Sequence, residues 1–283
     1  AQTIYSFAGA SSQFLLGFTH RYPKAPVVRL TRGYRSTPEI IEIANKILKE
    51  GSSHHDHELT SVNPRGEELA LRAFGTTNSE VKAVVDAIAA LGKTHSDIAI
   101  LARTNNGLDP FESALKARGI ETQLKNSERF FDRIEVRDAM RVVRSASVLP
   151  AEGSDWLQDL KSVLRPFGEA DYVRAFTALA GLMKQAGATS LRAFLRELED
   201  RAEQNNPPTL PGVVLSTLHA AKGLEWDHVF LVSVNEGVLP MGQEKQAIEE
   251  ERRLFYVGLT RAKKSVHVSY SGTPSEFLNG LLT

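Results

Sequence analysis

The apolar pattern of this chain switches back and forth between a strand period of two and a helix period near 3.6, and that alternation restricts the fold more than any other feature. Val27–Leu30 reads as a strand. Ser36-Thr37-Pro38-Glu39 reads as a helix start, with a hydroxyl cap and a proline in the first turn, and the helix runs to about Leu48. Leu69–Phe74 is a second strand, Ser79–Leu91 a helix and Asp97–Arg103 a buried strand. Pro110–Arg118 is a helix stopped by Gly119, and Ile120–Leu124 is again a strand. Strands joined by helices of this length need crossover connections, which implies parallel βαβ units.

Between residues 125 and 210 the strand pattern disappears. Glu135–Ser147, Asp155–Leu164, Asp171–Gln185 and Thr189–Glu203 are all helical, and the stretch closes on the breaker Asn205-Asn206-Pro207-Pro208. Strands return at Gly212–Leu218 and His228–Val234, followed by a helix at about Glu249–Leu259 and a last strand at Ser265–Tyr270. The simplest arrangement is one α/β domain, built from residues 27–124 and 211–283, with a helical insertion at 125–210. Residues 1–26 are Ser/Gly-rich and then apolar, and end in Pro23 and Pro26. The His-rich stretch Ser52–Glu58 reads as a solvated loop, because no framework of metal ligands surrounds it.

Composition narrows the chemistry. With no cysteine, a disulfide framework, a thiolate zinc site and a Cys nucleophile are excluded, and a reducing cytoplasm is the expected setting. No metal site is expected on these residues. Lys and Arg balance Asp and Glu at 34 each, so any basic, nucleic-acid-binding surface must be local. No run of 18 apolar residues is present, and no transmembrane helix is expected. An opening of Ala1-Gln2-Thr3-Ile4-Tyr5, with no initiator Met or signal-like segment, is expected of an excised or processed piece.

Four segments carry the chemistry. Glu249-Glu250-Glu251-Arg252-Arg253-Leu254-Phe255-Tyr256-Val257-Gly258-Leu259-Thr260-Arg261-Ala262 is an acidic helix start, then arginines, then a turn that presents Arg261. A fixed guanidinium at a nucleotide can stabilise charge on a transferring phosphoryl group, whereas a plain surface helix would use its arginines in i,i+4 pairs with Glu249 and Glu250. Val214-Leu215-Ser216-Thr217-Leu218-His219-Ala220-Ala221-Lys222-Gly223-Leu224-Glu225-Trp226 is a strand ending in small and polar residues. Such turns lie at the C-terminal edge of parallel strands, where open α/β sheets bind ligands. Leu30-Thr31-Arg32-Gly33-Tyr34-Arg35-Ser36-Thr37, with Ile40, Ala44 and Asn45, delivers an aromatic and an arginine ahead of a helix N-terminus. The start, Ala1-Gln2-Thr3-Ile4-Tyr5-Ser6-Phe7-Ala8-Gly9-Ala10, is the fourth.

Together these segments resemble motifs VI, V, IV and III of UvrD/Rep-type superfamily 1 DNA helicases, and the chain resembles the C-terminal motor half of such an enzyme. The resemblance implies a RecA-like parallel sheet of the P-loop NTPase type with a helical, 2B-like insertion subdomain, residues 1–26 being the tail of the first motor domain. It implies ATP and magnesium as cofactors, with magnesium held by the N-terminal half. Arg261 takes the arginine-finger role, Arg35 and Gln2 the γ-phosphate contacts, Tyr34 the adenine stack and Glu225 the nucleotide sugar. Tyr5, Phe7, Thr217 and His219 fall to single-stranded DNA. Partners are then single-stranded DNA, single/double-strand junctions and the N-terminal motor domain, in 3′ to 5′ DNA unwinding and repair. The chain departs from the family pattern at Gly33, usually Asn, and at Ala8, commonly Arg. Ile98–Thr104 with Asn105, Asn235-Glu236-Gly237-Val238-Leu239-Pro240, and Phe130–Asp138 resemble further family elements.

No Gly-x-x-x-x-Gly-Lys-Ser/Thr loop occurs, so the residues that cradle phosphate are not in this chain. A non-hydrolysing, helicase-like DNA- or partner-binding subunit is the alternative, but it leaves the joint presence of Gln2, Arg35, Glu225 and Arg261 unexplained. An unrelated nucleotide-binding regulator leaves the aromatic series at the start unexplained. The 283-residue chain alone is expected to hydrolyse ATP at no measurable rate. Steady turnover by the purified chain, stimulated by single-stranded DNA, would contradict this.

Overall fold

The computed structural model describes residues 4, 17–26, 28, 30–51, 58–92, 95–125, 130–148, 155–204, 207–208 and 212–281. The chain divides into two compact units, one formed by Ala1–Ile120 with Val213–Thr283 and the other by Glu121–Gly212. In chain order the first unit opens with β1 (Arg32–Gly33), α1 (Pro38–Lys49), β2 (Thr60–Ser61), β3 (Ala70–Phe74), α2 (Thr77–Leu91), β4 (Ile98–Ala102) and α3 (Asp109–Ala117). The second holds β5 (Thr122–Lys125), α4 (Ile134–Val148), α5 (Trp156–Leu164), α6 (Asp171–Gln185) and α7 (Leu191–Glu203). The first resumes with β6 (Val213–Thr217), β7 (Trp226–Leu231), α8 (Lys245–Leu259) and β8 (Ala262–Ser271).

In the first unit the strands run in the order β3-β8-β7-β4-β6, and every neighbouring pair is parallel. Strand β4 is buried at all five positions, as a central strand covered on both faces must be. One face packs Ala99, Leu101, Val229, Leu231, Val266 and Val268 against Ile40 and Ile47 of α1 and Leu254, Phe255 and Val257 of α8. Ile4, from the stretch expected to be a separate tail, is fully buried in this same core. Helix α2 packs against α3 and β8. Its N-terminus is closed by a capping box between Thr76 and Ser79. Glu80, in its first turn, is fully buried and accepts hydrogen bonds from the Ser233 amide at 2.8 Å and the Ser269 hydroxyl at 2.6 Å.

Two local expectations fail. Val27–Leu30 is not a strand where it is described. Val28 and Leu30 lie outside any strand and are 81% and 86% exposed, while pairing begins only at the two-residue ladder of β1 on β2. Val27 and Arg29 lie outside the described residues. The hydroxyl cap of α1 is also absent: Thr37 occupies the N-cap position but makes no side-chain cap bond. The Glu39 carboxylate sits there instead, accepting from the Gly66 amide at 2.9 Å and from Arg65 at 2.8 Å. Its pKa is held below the ordinary value by the Gly66 amide, its own amide and Arg65.

The second unit has its own core, in which Val136, Ala139 and Val143 of α4 meet Leu160 and Leu164 of α5, Phe176 of α6 and Phe194 and Leu198 of α7. The Phe130–Asp138 element serves this packing. Arg133 donates to both oxygens of Asp171, at 2.8 and 3.1 Å, and lies over the rings of Phe130 and Tyr172. The unit spans 121–212 rather than 125–210, and its two ends touch: a Cβ on Gly212 would fall 2.5 Å from the Glu121 carbonyl oxygen. Segments that leave and re-enter at one point tolerate replacement. Replacing residues 128–208 by a short Gly/Ser linker is expected to leave a soluble α/β domain that melts cooperatively by circular dichroism. Aggregation at every linker length tried would place these helices in the first unit's folding core.

Candidate functional site

Strand pairing decides which distant residues meet. Trp226 opens β7, Ala262 opens β8, and the two are register partners. The residues immediately before them, Glu225 and Arg261, are therefore neighbours at the N-terminal edge of the sheet, and the Trp226 amide donates to the Arg261 carbonyl at 3.0 Å. The segment leading into α1 runs beside the start of β8. The Ser36 hydroxyl donates to the Ala262 carbonyl at 2.5 Å and the Thr37 amide to the Lys263 carbonyl at 3.2 Å. Arg35 thereby reaches the same point.

The resulting cluster is tightly bonded. Arg35 Nε donates to Glu225 Oε2 at 2.6 Å, and Lys263 Nζ lies 2.9 Å from Glu225 Oε1. These two cations, Lys263 foremost, hold the Glu225 carboxyl below its ordinary pKa. Thr260 joins the two arginines: its carbonyl accepts from Arg35 Nη1 at 3.4 Å and its hydroxyl from Arg261 Nη2 at 3.2 Å. Arg261 also donates from Nε to the Val257 carbonyl at 2.9 Å and from Nη1 to the Leu224 carbonyl at 3.1 Å. Contrary to the expectation of a presented side chain, Arg261 is 2% exposed. Burial first, and then the neighbouring charge of Arg35, lower its pKa to about 10, so it stays protonated at neutral pH. Tyr34 is 72% exposed, so its ring faces solvent and not the core.

Thr217 and His219 lie at the opposite, C-terminal edge, where β6 ends. The motif V string thus spans both edges of the sheet, and only its first part sits where open sheets commonly bind ligands. The Thr217 hydroxyl accepts from the Ala220 amide at 3.3 Å and starts the turns that return the chain toward Glu225. His219 is half-buried, and burial followed by the charge of Arg103 lowers its pKa. Arg103, just beyond β4, donates from Nε and Nη2 to Glu251 of α8 at 2.8 Å each, a forked ion pair. Glu251 therefore pairs across the fold and not along its own helix, while Arg252 lies 3.6 Å from Glu50 and 3.9 Å from Glu249. Sequence reasoning passed over Lys263, Thr260 and the Arg103–Glu251 pair, although Arg103 stands in the Arg-Thr-Asn element. Gln2, Tyr5 and Phe7 lie outside the described residues.

No group of three or more His, Cys, Asp or Glu among the described residues could hold a metal ion. No helix of the described residues is long and apolar enough to cross a membrane.

The histidines give the fold a pH dependence of known sign. Burial depresses His267 as well as His219. Below about 6.5 the unfolded chain binds protons that these folded histidines refuse, so their contribution is complete above that value and is lost as pH falls. Denaturant midpoints are expected to drop between pH 7.5 and 5.5, and a His219→Gln/His267→Gln double variant to narrow that drop. An unchanged drop in the double variant would assign the acid sensitivity elsewhere.

A family model, the UvrD-like helicase C-terminal domain, matches residues 28–147 and 156–273. The ATP-dependent DNA helicase UvrD2 of Mycobacterium tuberculosis is 37% identical over 317 aligned residues, covering 99% of this chain and 45% of that protein. The ATP-dependent DNA helicase PcrA of Leuconostoc citreum is 25% identical, covering 95% of this chain and 49% of that protein. A solved C-terminal domain of a possible DNA helicase from Lactobacillus superposes with a TM-score of 0.46 at 19% identity, over 87% of this chain and 92% of that one. The chain thus spans about half the length of the curated relatives it matches. With the family model covering most of its length, the chain belongs to the UvrD-like helicase C-terminal domain family.

Proposed function

We propose that this chain supplies the second motor domain's side of an ATP site, together with a single-stranded DNA contact, in a 3′ to 5′ ATP-dependent DNA helicase. The observation that carries the reading is the convergence of Arg35, Glu225, Thr260 and Arg261 on one sheet edge, from three segments far apart in sequence. A polyphosphate suits this cluster, because it gathers three cations around one carboxylate, which pairs with Arg35 and Lys263 and leaves Arg261 unneutralised. The exposed ring of Tyr34 supplies an adenine-stacking face next to it. Magnesium has no comparable donor set among the described residues, and the reading assigns it to residues outside this chain.

The two arginines have different tasks. Arg261 has five N–H donors and spends three on its own chain, so two remain for a phosphoryl group arriving from across an interdomain cleft. Its orientation is fixed beforehand, and a donor that need not reorganise is worth most in the transition state. Arg35 is half-exposed and held by Glu225. A γ-phosphate would compete for it, and the carboxylate oxygen so released could accept a ribose hydroxyl. The opposite edge, with Thr217 and His219, is assigned to the DNA backbone. Tyr5 and Phe7 are assigned to the bases, where stacking contributes roughly 1–3 kcal/mol per base without reading sequence. Gln2 is assigned to sensing the γ-phosphate.

In the ATP-hydrolysing protein that contains this chain, Arg261→Ala is expected to lower kcat by about 10³-fold, the scale of arginine-finger losses. Nucleotide affinity should change much less, because the stabilised charge develops only in the transition state. Arg35→Ala should behave similarly. Single-turnover and steady-state hydrolysis with nucleotide titration separates the two quantities, and retention of more than about a tenth of wild-type turnover, under ~1.4 kcal/mol, removes the assigned role.

A further inference from the structure

We propose that the Arg103–Glu251 ion pair is a positioning element that couples the DNA edge to the nucleotide edge through α8; this rests on the function proposed above. Helix α8 is the crossover from β7 to β8, so it runs from the C-terminal edge of the sheet back to the N-terminal edge. Its 15 residues span about 22 Å. Arg261 follows its C-terminal residue Leu259 by two positions. Glu251 sits in its first half, at the other edge, and binds more than Arg103. The Met241 amide donates to Glu251 Oε2 at 3.3 Å, so one carboxylate ties α8 to the end of β4 and to the loop that precedes the helix. His219 lies within the electrostatic reach of Arg103, Glu251 and Glu250, which places the pair beside the residue assigned to DNA.

A further contact ties the Thr217–His219 segment to the other end of the helix. A Cβ on Gly258 would fall 2.5 Å from Leu218 Cδ2 and 2.9 Å from Leu231 Cδ2, so Leu218, between Thr217 and His219, seats directly against the α8 backbone. Leu218, Leu254, Val257 and Leu259 belong to one continuous buried core. The Leu218 amide donates to the Ala102 carbonyl at 2.9 Å, next to Arg103, so a displacement of the Thr217–His219 segment by DNA bears on α8 at two heights, through the residue before the forked ion pair and through a packed leucine. The C-terminal end of the helix carries the Val257 and Thr260 oxygens that orient Arg261. Close packing transmits such a shift and does not absorb it. Neither Arg103 nor Glu251 belongs to the nucleotide cluster, so their part is positional: removing them should uncouple the two edges while sparing hydrolysis itself.

The test uses the ATP-hydrolysing protein that contains this chain, with oligo-dT as the DNA probe. Glu251→Gln keeps the size and some hydrogen bonding but removes the charge. The double variant Arg103→Met/Glu251→Leu removes the pair without leaving one charge buried alone, a change that buried ion pairs often tolerate. For either variant, unstimulated ATP turnover is expected to stay within about twofold of wild type, while the stimulation by saturating oligo-dT falls at least about tenfold. Thermal melting on the same samples reports whether each is folded, and if one variant is unfolded the other decides. A folded variant with wild-type DNA stimulation overturns the proposal. So does equal loss of stimulated and unstimulated turnover, which marks a merely structural role. Arg261→Ala runs alongside. If it abolishes turnover while Glu251→Gln keeps full stimulation, only the coupling fails. If the wild-type protein shows no DNA-stimulated hydrolysis, both readings fall.

Discussion

The parallel pairing of β7 with β8 is the constraint on which the rest of the site depends. Because Trp226 and Ala262 are register partners, residues 225 and 261 are forced together at one end of the sheet, although 35 residues and a whole helix lie between them. A one-residue slip in a β-ladder exchanges every side chain between faces. In this sheet it would also turn Val229, Leu231, Val266 and Val268 out of the core they share with α1 and α8. Across one register shift between Trp226 and His228, the hydrophobic pattern that stabilises the fold therefore holds the site together as well. The β3–β8 pairing extends the same lattice, and the Ser36 and Thr37 bonds to the first residues of β8 bring Arg35 in on top of it.

Burial divides the labour among the charges. A buried guanidinium is costly unless its donors are satisfied, and Arg261 places three of its five on backbone carbonyls and a hydroxyl, keeping its charge without a carboxylate partner. Had Glu225 paired with Arg261, its field would be neutralised where the proposed function needs it. The carboxylate pairs instead with Arg35 and Lys263, which are nearer solvent, where exchange of partners is cheap. On the other edge the arrangement is reversed: Arg103 and Glu251 neutralise each other in a forked, mostly buried pair suited to fixing geometry.

Much of this was legible in the sequence, and the omissions have physical causes. Periodicity located β3, β4, β6, β7 and β8 to within a few residues because apolar runs bounded by turns have few other solutions. It failed at Val27–Leu30, where apolar residues remain exposed, since period alone carries no information about whether a sheet partner exists. The motif strings named Tyr34, Arg35, Glu225 and Arg261, but could not give their mutual arrangement, which strand order sets. Lys263 escaped notice because a lysine next to a motif looks like any surface lysine until its partner Glu225 is located. Arg103 and Glu251 are 148 positions apart, and no local pattern could have joined them.

The stowed conformation of Arg261 bears on how such a site can be switched. A side chain already held by its own carbonyl cage cannot be regulated by swinging in and out at low cost, since withdrawal would break its bonds to Val257, Leu224 and Thr260 together. What can vary is the position of the cage itself, which is the C-terminal end of α8 and the residue before Glu225. The first of these is packed on Leu218 and Leu231 through the close approach at Gly258. Control of the arginine is thus control of a helix, and a helix buried over most of its length moves as a body or not at all. Arg35 differs, being free to change partners where it stands. Under the proposed function, a site with one fixed and one exchangeable arginine would admit nucleotide through the second and withhold catalysis through the placement of the first.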